Sequence, residues 1–180
     1  MAEGHKFDPT ILREYDIRGI VPDTLGPEDV RAIGRAFATI LRQRGLMTAA
    51  VGYDGRLSSP ELETALVEGL AASGVDVTRI GRGPTPMLYF SQATLPTDAG
   101  LMVTGSHNPP DHNGIKMIVE GKPFFAGDIR LLGECAGRGD FADGEGRVTE
   151  KSVLGDYVAR LGQDFVAGEP PLNVAWDAGN

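Results

Sequence analysis

At 180 residues the chain has room for one domain and the beginning of a second, and 41% apolar residues suffice for a packed core. Its apolar stretches fall short of the ~20 residues a spanning helix needs, so no membrane span is expected. A net charge of −8 argues against nucleic acid as a partner, and an anionic ligand would need local positive charge against that background.

In chain order, Met1 to Lys6 carries no apolar signal core, so a cytoplasmic rather than secreted protein is expected. Residues 7–25 are mixed, with a compact Tyr15-Asp16-Ile17-Arg18-Gly19 segment. A helix is predicted to start at Pro27, with Gly26 before it and Gly45 just past its end. Val30, Ile33, Phe37, Ile40 and Leu41 form its apolar stripe. Ala49 to Tyr53 reads as a short buried strand, and Asp54-Gly55-Arg56 turns the chain. Ser59-Pro60 opens a second helix, with Leu62, Leu66 and Leu70 on one face and its end before Gly74. Val75 to Ile80 is strand-like, and Pro84 to Leu95 is a third helix begun by a proline. Ala99 to Val103 is nearly all apolar, which suits a strand buried on both faces. Ile115, Met117 and Val119 alternate with polar neighbours, the half-buried pattern. One cysteine, Cys135, excludes an internal disulfide and is expected to be inert. Residues 137–151 shift in composition and read as a loop or domain boundary. Beyond it, Val153, Leu154, Tyr157, Val158 and Leu161 make a helical stripe, and Leu172 to Trp176 looks like a strand. One helix and one strand cannot bury their apolar faces alone.

Strand–helix alternation of this kind predicts an α/β domain. The expected architecture is a three-layer α/β/α domain with a mainly parallel mixed sheet over residues 1–150, followed at 151–180 by the beginning of an incomplete second α/β domain. Glycine, at 25 residues, is over-used, so many backbone positions need tight turns or a close approach.

The chemistry concentrates in Thr104-Gly105-Ser106-His107-Asn108-Pro109-Pro110-Asp111-His112-Asn113-Gly114-Ile115-Lys116. A hydroxyl sits in a loop between two apolar runs, with a lysine ten residues on. Serine is a poor nucleophile until a base, a metal or a positive field activates it. Gly105, Asn108 and Gly114 let backbone amides turn toward a phosphate, and Pro109 and Pro110 stiffen the loop. Lys116 is placed to serve as a point charge, or as an acid or base if its pKa is lowered. Arg18 does not readily give up a proton and reads as an electrostatic clamp. His107, Asp111 and His112 make a weak metal set. A hydrolase pairing Ser106 with His107 is disfavoured, because adjacent residues in a strand-exit loop rarely aim at each other. The pattern is also not the Gly-x-Ser-x-Gly elbow.

The block Thr104 to Pro110 resembles the phosphoserine loop of the α-D-phosphohexomutase superfamily, best matched in its phosphomannomutase/phosphoglucomutase group. Tyr15 to Gly19, Val51 to Arg56, Asn113 to Lys116 and Trp176 to Asn180 are similar to further family motifs in the same order. Gly105 stands where the family usually has alanine, and His112 where an aromatic is more usual. The resemblance implies an isomerase in which phosphoserine Ser106 hands its phosphoryl group to a hexose phosphate. A hexose 1,6-bisphosphate forms, and its other phosphate returns to the serine, so that phosphate moves between C6 and C1. It implies Ser106, Lys116, Arg18 and His107 as catalytic residues and Tyr15, Arg18, Asn113 and Lys116 as substrate contacts. For Tyr15 a packing role stays open, and for His107 a role bracing the loop. Arg56 is expected to brace the serine loop or form a salt bridge. The implied cofactor is Mg²⁺, with Ser106 ligating through its phosphate and the other ligands in a second-domain carboxylate loop. The implied partners are small hexose phosphates, with no nucleic acid and no membrane. The 180-residue chain by itself is expected to be inactive. The alternatives are a non-catalytic domain that self-associates through its unfinished second part, and a phosphoglucosamine substrate class.

Overall fold

The computed structural model describes residues 4–166, 168 and 173–177. Helix α1 (Pro27–Gln43) starts where Pro27 makes its missing N–H harmless and the Gly26 amide donates to Asp29 Oδ2 at 2.8 Å. It ends at Gly45, whose positive φ of 77° lets the Gly45 and Leu46 amides close on the carbonyls of Arg42 and Leu41. Helix α2 (Ser59–Ala72) lies across it. The two backbones approach at a glycine crossing: a Cβ on Gly69 would lie 2.2 Å from the Arg31 carbonyl oxygen, and one on Gly34 would lie 2.6 Å from that of Leu66. Helix α3 (Thr85–Thr94) and helix α5 (Leu154–Gly162) fall where the sequence places them.

The described residues form a seven-stranded sheet. Its strands are β1 (Ile17–Ile20), β2 (Thr48–Tyr53), β3 (Asp76–Arg82), β4 (Ala99–Val103), β5 (His112–Val119), β6 (Lys122–Pro123) and β7 (Val148–Glu150). The order is β1-β5-β4-β2-β3-β7, with β6 paired to β5. Pairing is parallel from β4 through β2 and β3 to β7, and antiparallel from β4 through β5 to β1 and β6. The architecture is thus a mixed α/β sheet between helices. Helices α1 and α2, with α4 (Gly127–Arg138), cover one face through Val30, Ile33, Phe37, Leu62, Leu66, Ile129 and Leu132. Helix α3 covers the other through Met87 and Leu88, with Val153 just before α5 and Tyr157 on it, over Ala50, Ile80 and Met102.

Four local expectations change. Strand β5 is not half-buried: strands flank it on both sides and helices cover the sheet, so only His112 and Lys116 among its residues stay partly exposed. Residues 127–138 form α4, a helix the periodicity reading passed over. There Ile129, Leu132, Cys135 and Ala136 face the core, and Gly139 closes the end at φ 68°. Burial pushes the Cys135 thiol pKa up, which suits an inert role. Part of the 137–151 segment read as a loop is strand β7 on the sheet edge. The strand expected at 172–176 is not formed: residues 173–177 are irregular, and Leu172 lies outside the described residues. No helix among the described residues is long and apolar enough to cross a membrane.

Candidate active site

The carboxyl ends of β2, β3 and β4 come together in register, with Tyr53 beside Val103 on one side and Arg82 on the other. This is the edge where open α/β sheets place ligands, because the strand-to-helix loops diverge there. The serine loop leaves β4 at this edge. Thr104 is anchored by its amide to the Gly114 carbonyl at 2.9 Å, and its Oγ1 accepts the Ser106 amide at 2.9 Å. Ser106 is exposed and has φ 53°, a left-handed conformation rare outside glycine. The Asn108 amide and side-chain Nδ2 both donate to the Gly105 carbonyl at 3.1 Å, and the His112 amide donates to that of Pro109 at 3.0 Å. The loop therefore has fixed internal partners that hold its serine outward.

Asp54 and Arg56, in the turn after β2, hold the loop from below. Asp54 accepts the Gly105 amide at 2.9 Å, the Arg56 amide at 3.1 Å and Ser59 Oγ at 2.5 Å. Burial pushes the Asp54 pKa up, but these hydrogen bonds outweigh it and hold the carboxyl below its ordinary value. The Arg56 guanidinium donates to the carbonyls of Ser106, Asn108, Pro109 and His112.

A second charged network enters from β1 and β5. Arg18 is only 3% exposed. Its Nη1 donates to the Thr104 carbonyl at 3.1 Å, and its Nη2 to Asp16 Oδ2 at 2.5 Å. Lys116 Nζ lies 3.7 Å from the same Asp16 oxygen. Two cations thus share one carboxylate beside the loop, leaving positive charge there although the chain is acidic overall.

The model of the phosphoglucomutase/phosphomannomutase alpha/beta/alpha domain I matches residues 9–136, a span that contains the serine loop and both networks. The chain belongs to this family. It is 43% identical over 179 residues to a phosphomannomutase/phosphoglucomutase of Pseudomonas aeruginosa, covering 99% of this chain and 38% of that protein. It is 42% identical over 176 residues to a phosphoglucomutase of Neisseria gonorrhoeae, covering 94% and 37%. Among solved structures, a phosphoglucomutase/phosphomannomutase family protein of Burkholderia thailandensis superposes with a TM-score of 0.83 at 40% identity, covering 88% of this chain and 36% of that one. The chain thus spans well under half the length of the relatives it matches.

The structure ties Arg18 to the serine loop at the Thr104 carbonyl and Lys116 to Arg18 through Asp16. It sets His107 in the same loop, exposed, and leaves Tyr15 71% exposed near Asp16. Asn113 differs from expectation. It is fully buried, its Nδ2 donates to Ser58 Oγ and Ser59 Oγ at 2.9 Å, and its Oδ1 accepts the Gly114 amide at 2.8 Å. An interior side chain engaged on both ends braces β5 against the start of α2 and does not face a substrate. His112 turns to Asp111, with Nδ1 2.7 Å from Oδ1. Arg56 takes the bracing role expected of it. Sequence reasoning missed Asp16, which joins Arg18 to Lys116, and Asp54, which anchors Gly105. Their positions two residues before each arginine were the available signal. For Mg²⁺ the fit is poor. Among the described residues no three His, Cys, Asp or Glu side chains are grouped to hold a metal; Asp54, beneath the loop, is engaged by amides, and Asp111 within it by His112. These residues do not form a magnesium site.

Proposed function

We propose that the chain carries the phosphoryl-bearing serine of a hexose-phosphate mutase, with Ser106 as the residue that is phosphorylated. The observation that carries this reading is Ser106 itself. It is exposed in a strained left-handed conformation, on a loop tied to the Arg18–Asp16–Lys116 network through the Thr104 carbonyl. The family supports the reaction class. In the forward half, the phosphorus–Oγ bond of phosphoserine breaks as a phosphorus–oxygen bond forms to a sugar hydroxyl. The sugar hydroxyl gives up its proton as the new bond forms, and the departing Ser106 Oγ takes one up, so the proton count is unchanged. The resulting hexose 1,6-bisphosphate turns over, and its other phosphate returns to Ser106 in the reverse step. Such transfer depends on positioning and charge stabilisation more than on covalent chemistry. Lys116 and Arg18 supply the positive field, and the Asp16 carboxylate between them fixes both directions. His107 lies beside the transferring group, and Tyr15 offers its ring to the sugar. The substrates are small hexose phosphates of the glucose or mannose type.

Intact mass after incubation with glucose 1,6-bisphosphate, with fragmentation to locate the modification, tests the reading. One phosphate on Ser106, absent in Ser106→Ala, is the expected result. Equal labelling of the Ser106→Ala protein would sink it. A coupled assay with glucose 1-phosphate or mannose 1-phosphate is expected to show no turnover by the 180-residue chain alone, and turnover would overturn that expectation.

Residues 151–180 are proposed to begin a second unit, and one observation favours a docking role for it. Helix α5 shows Leu154, Val158 and Leu161 at 44%, 58% and 62% exposure, an apolar stripe at helical spacing. Self-association through this face is the second reading.

A further inference from the structure

Gly105 and Arg56 interlock. A Cβ built on Gly105 would stand 1.9 Å from Arg56 Nε and 2.0 Å from its Cζ. The guanidinium therefore occupies the space that any side chain at position 105 would need. From there Nη1 donates to the Pro109 and His112 carbonyls at 2.5 and 3.0 Å. Nη2 donates to those of Ser106 and Asn108 at 3.0 and 2.6 Å. The remaining donor, Nε, faces Asp54 Oδ2 at 3.5 Å. A guanidinium has five N–H groups in a fixed plane; here the four on Nη1 and Nη2 are bound to loop carbonyls, and Nε–H faces a carboxylate at ion-pair distance. A cation beside a phosphorylatable serine is usually read as a phosphate ligand, but this one has all four terminal N–H groups spent on loop carbonyls and its Nε–H turned to the Asp54 carboxylate.

We propose that Arg56 is a positioning residue. The loop wraps around its planar fork, which keeps Ser106 in the left-handed conformation with its hydroxyl outward, and Arg56 does not bind the transferring phosphate. The glycine at 105 is the space this arrangement requires. The functional half of the proposal rests on Ser106 being the phosphoryl carrier; the mechanical half does not.

Amide hydrogen exchange on the 180-residue chain tests the mechanical half. Arg56→Ala is expected to speed exchange at Gly105, Asn108 and His112 by about ten- to a hundredfold, with β2 and β4 unchanged. Millimolar guanidinium ion is expected to restore protection in Arg56→Ala. It is not expected to do so in the Arg56→Ala/Gly105→Ala double variant, where the new Cβ stands in the ion's place. Unchanged loop exchange in Arg56→Ala, or equal rescue of both proteins, overturns the proposal. Gly105→Ala, which keeps the arginine but evicts its fork, is expected to loosen the same amides and serves if Arg56→Ala fails to fold. Arg56→Lys keeps the charge with three donors and is expected to leave the loop loose; full protection in that variant would mean that charge alone suffices and would overturn the clamp. For the functional half, phosphate arrival on Ser106 is timed at varied glucose 1,6-bisphosphate. A lower maximal rate at an unchanged half-saturating concentration is expected for Arg56→Lys, whereas a raised half-saturating concentration alone would make Arg56 a phosphate ligand. If the unaltered chain takes no phosphate, the phosphoryl-carrier reading fails, and exchange still decides the clamp.

Discussion

Ser106 holds a backbone conformation that costs a non-glycine residue on the order of 1–3 kcal/mol, and it persists because its neighbours over-determine it. Thr104 Oγ1 takes its amide and Arg56 its carbonyl, so the strain sits on the residue whose hydroxyl must face outward. The hydroxyl itself contributes little to stability at an exposed position. Ser106→Ala is therefore expected to melt within about 0.5 kcal/mol of the unaltered protein while accepting no phosphate, as read by a denaturant melt and intact mass. Asn113 is the opposite case. Its residue type and place in a motif point to a substrate contact, yet it is sealed in the interior with both ends of its amide engaged. Removing it leaves Ser58 Oγ and the Gly114 amide without this partner, while Ser59 Oγ keeps Asp54. Asn113→Ala is expected to cost about 1–3 kcal/mol in a denaturant melt, a loss a substrate contact would not produce. Residue type showed that Asn113 mattered, but the direction its side chain faces depends on Ser58 and Ser59, more than 50 positions away.

Among the elements, α1 and α2 owe their contact to two glycines that let one backbone meet the other, and the apolar stripes on either side then close the face. Gly69→Ala pushes a methyl onto the Arg31 carbonyl and is expected to lower stability by about 1–3 kcal/mol, measured by chemical denaturation. The turn after β2 holds the serine loop through Asp54, and this tie carries a pH dependence. The folded-state pKa of Asp54 lies below the unfolded one, so its contribution is complete above about pH 4 and is lost as pH falls through the folded value. Loop amides at Gly105 and Asn108 are expected to open in acid below about pH 4, and Asp54→Asn to show a flatter acid limb in the same exchange measurement. Periodicity and capping made α1, α2, α3 and α5 legible, since each has a proline near its start or a clear apolar stripe. Helix α4 escaped because Gly133 and Gly137 interrupt its stripe, and β7 because three exposed residues carry no alternation to read.

The whole molecule is a layered α/β body whose sheet changes from parallel to antiparallel at β4, the strand that delivers the serine loop. That reversal brings β5 back beside β4 and so returns Lys116 toward the loop, while β1, antiparallel to β5, carries Arg18 in from the far end of the chain. At the opposite extreme, α5 ends the described helices with an uncovered apolar stripe. If this face drives self-association, Val158→Glu with Leu161→Glu is expected to abolish concentration-dependent light scattering, and a strict monomer before substitution would refute that role. The sequence by itself determined helices α1, α2, α3 and α5, strands β2, β3 and β4 and the family, because period, caps and contiguous motifs act over a few residues. Only the tertiary structure decided that Asp16 joins two cations, that Arg56 fills the space at Gly105 and that Asn113 faces inward. These depend on contacts such as Arg18 to Thr104, 86 positions apart, and no local pattern encodes which distant carbonyl a guanidinium will meet.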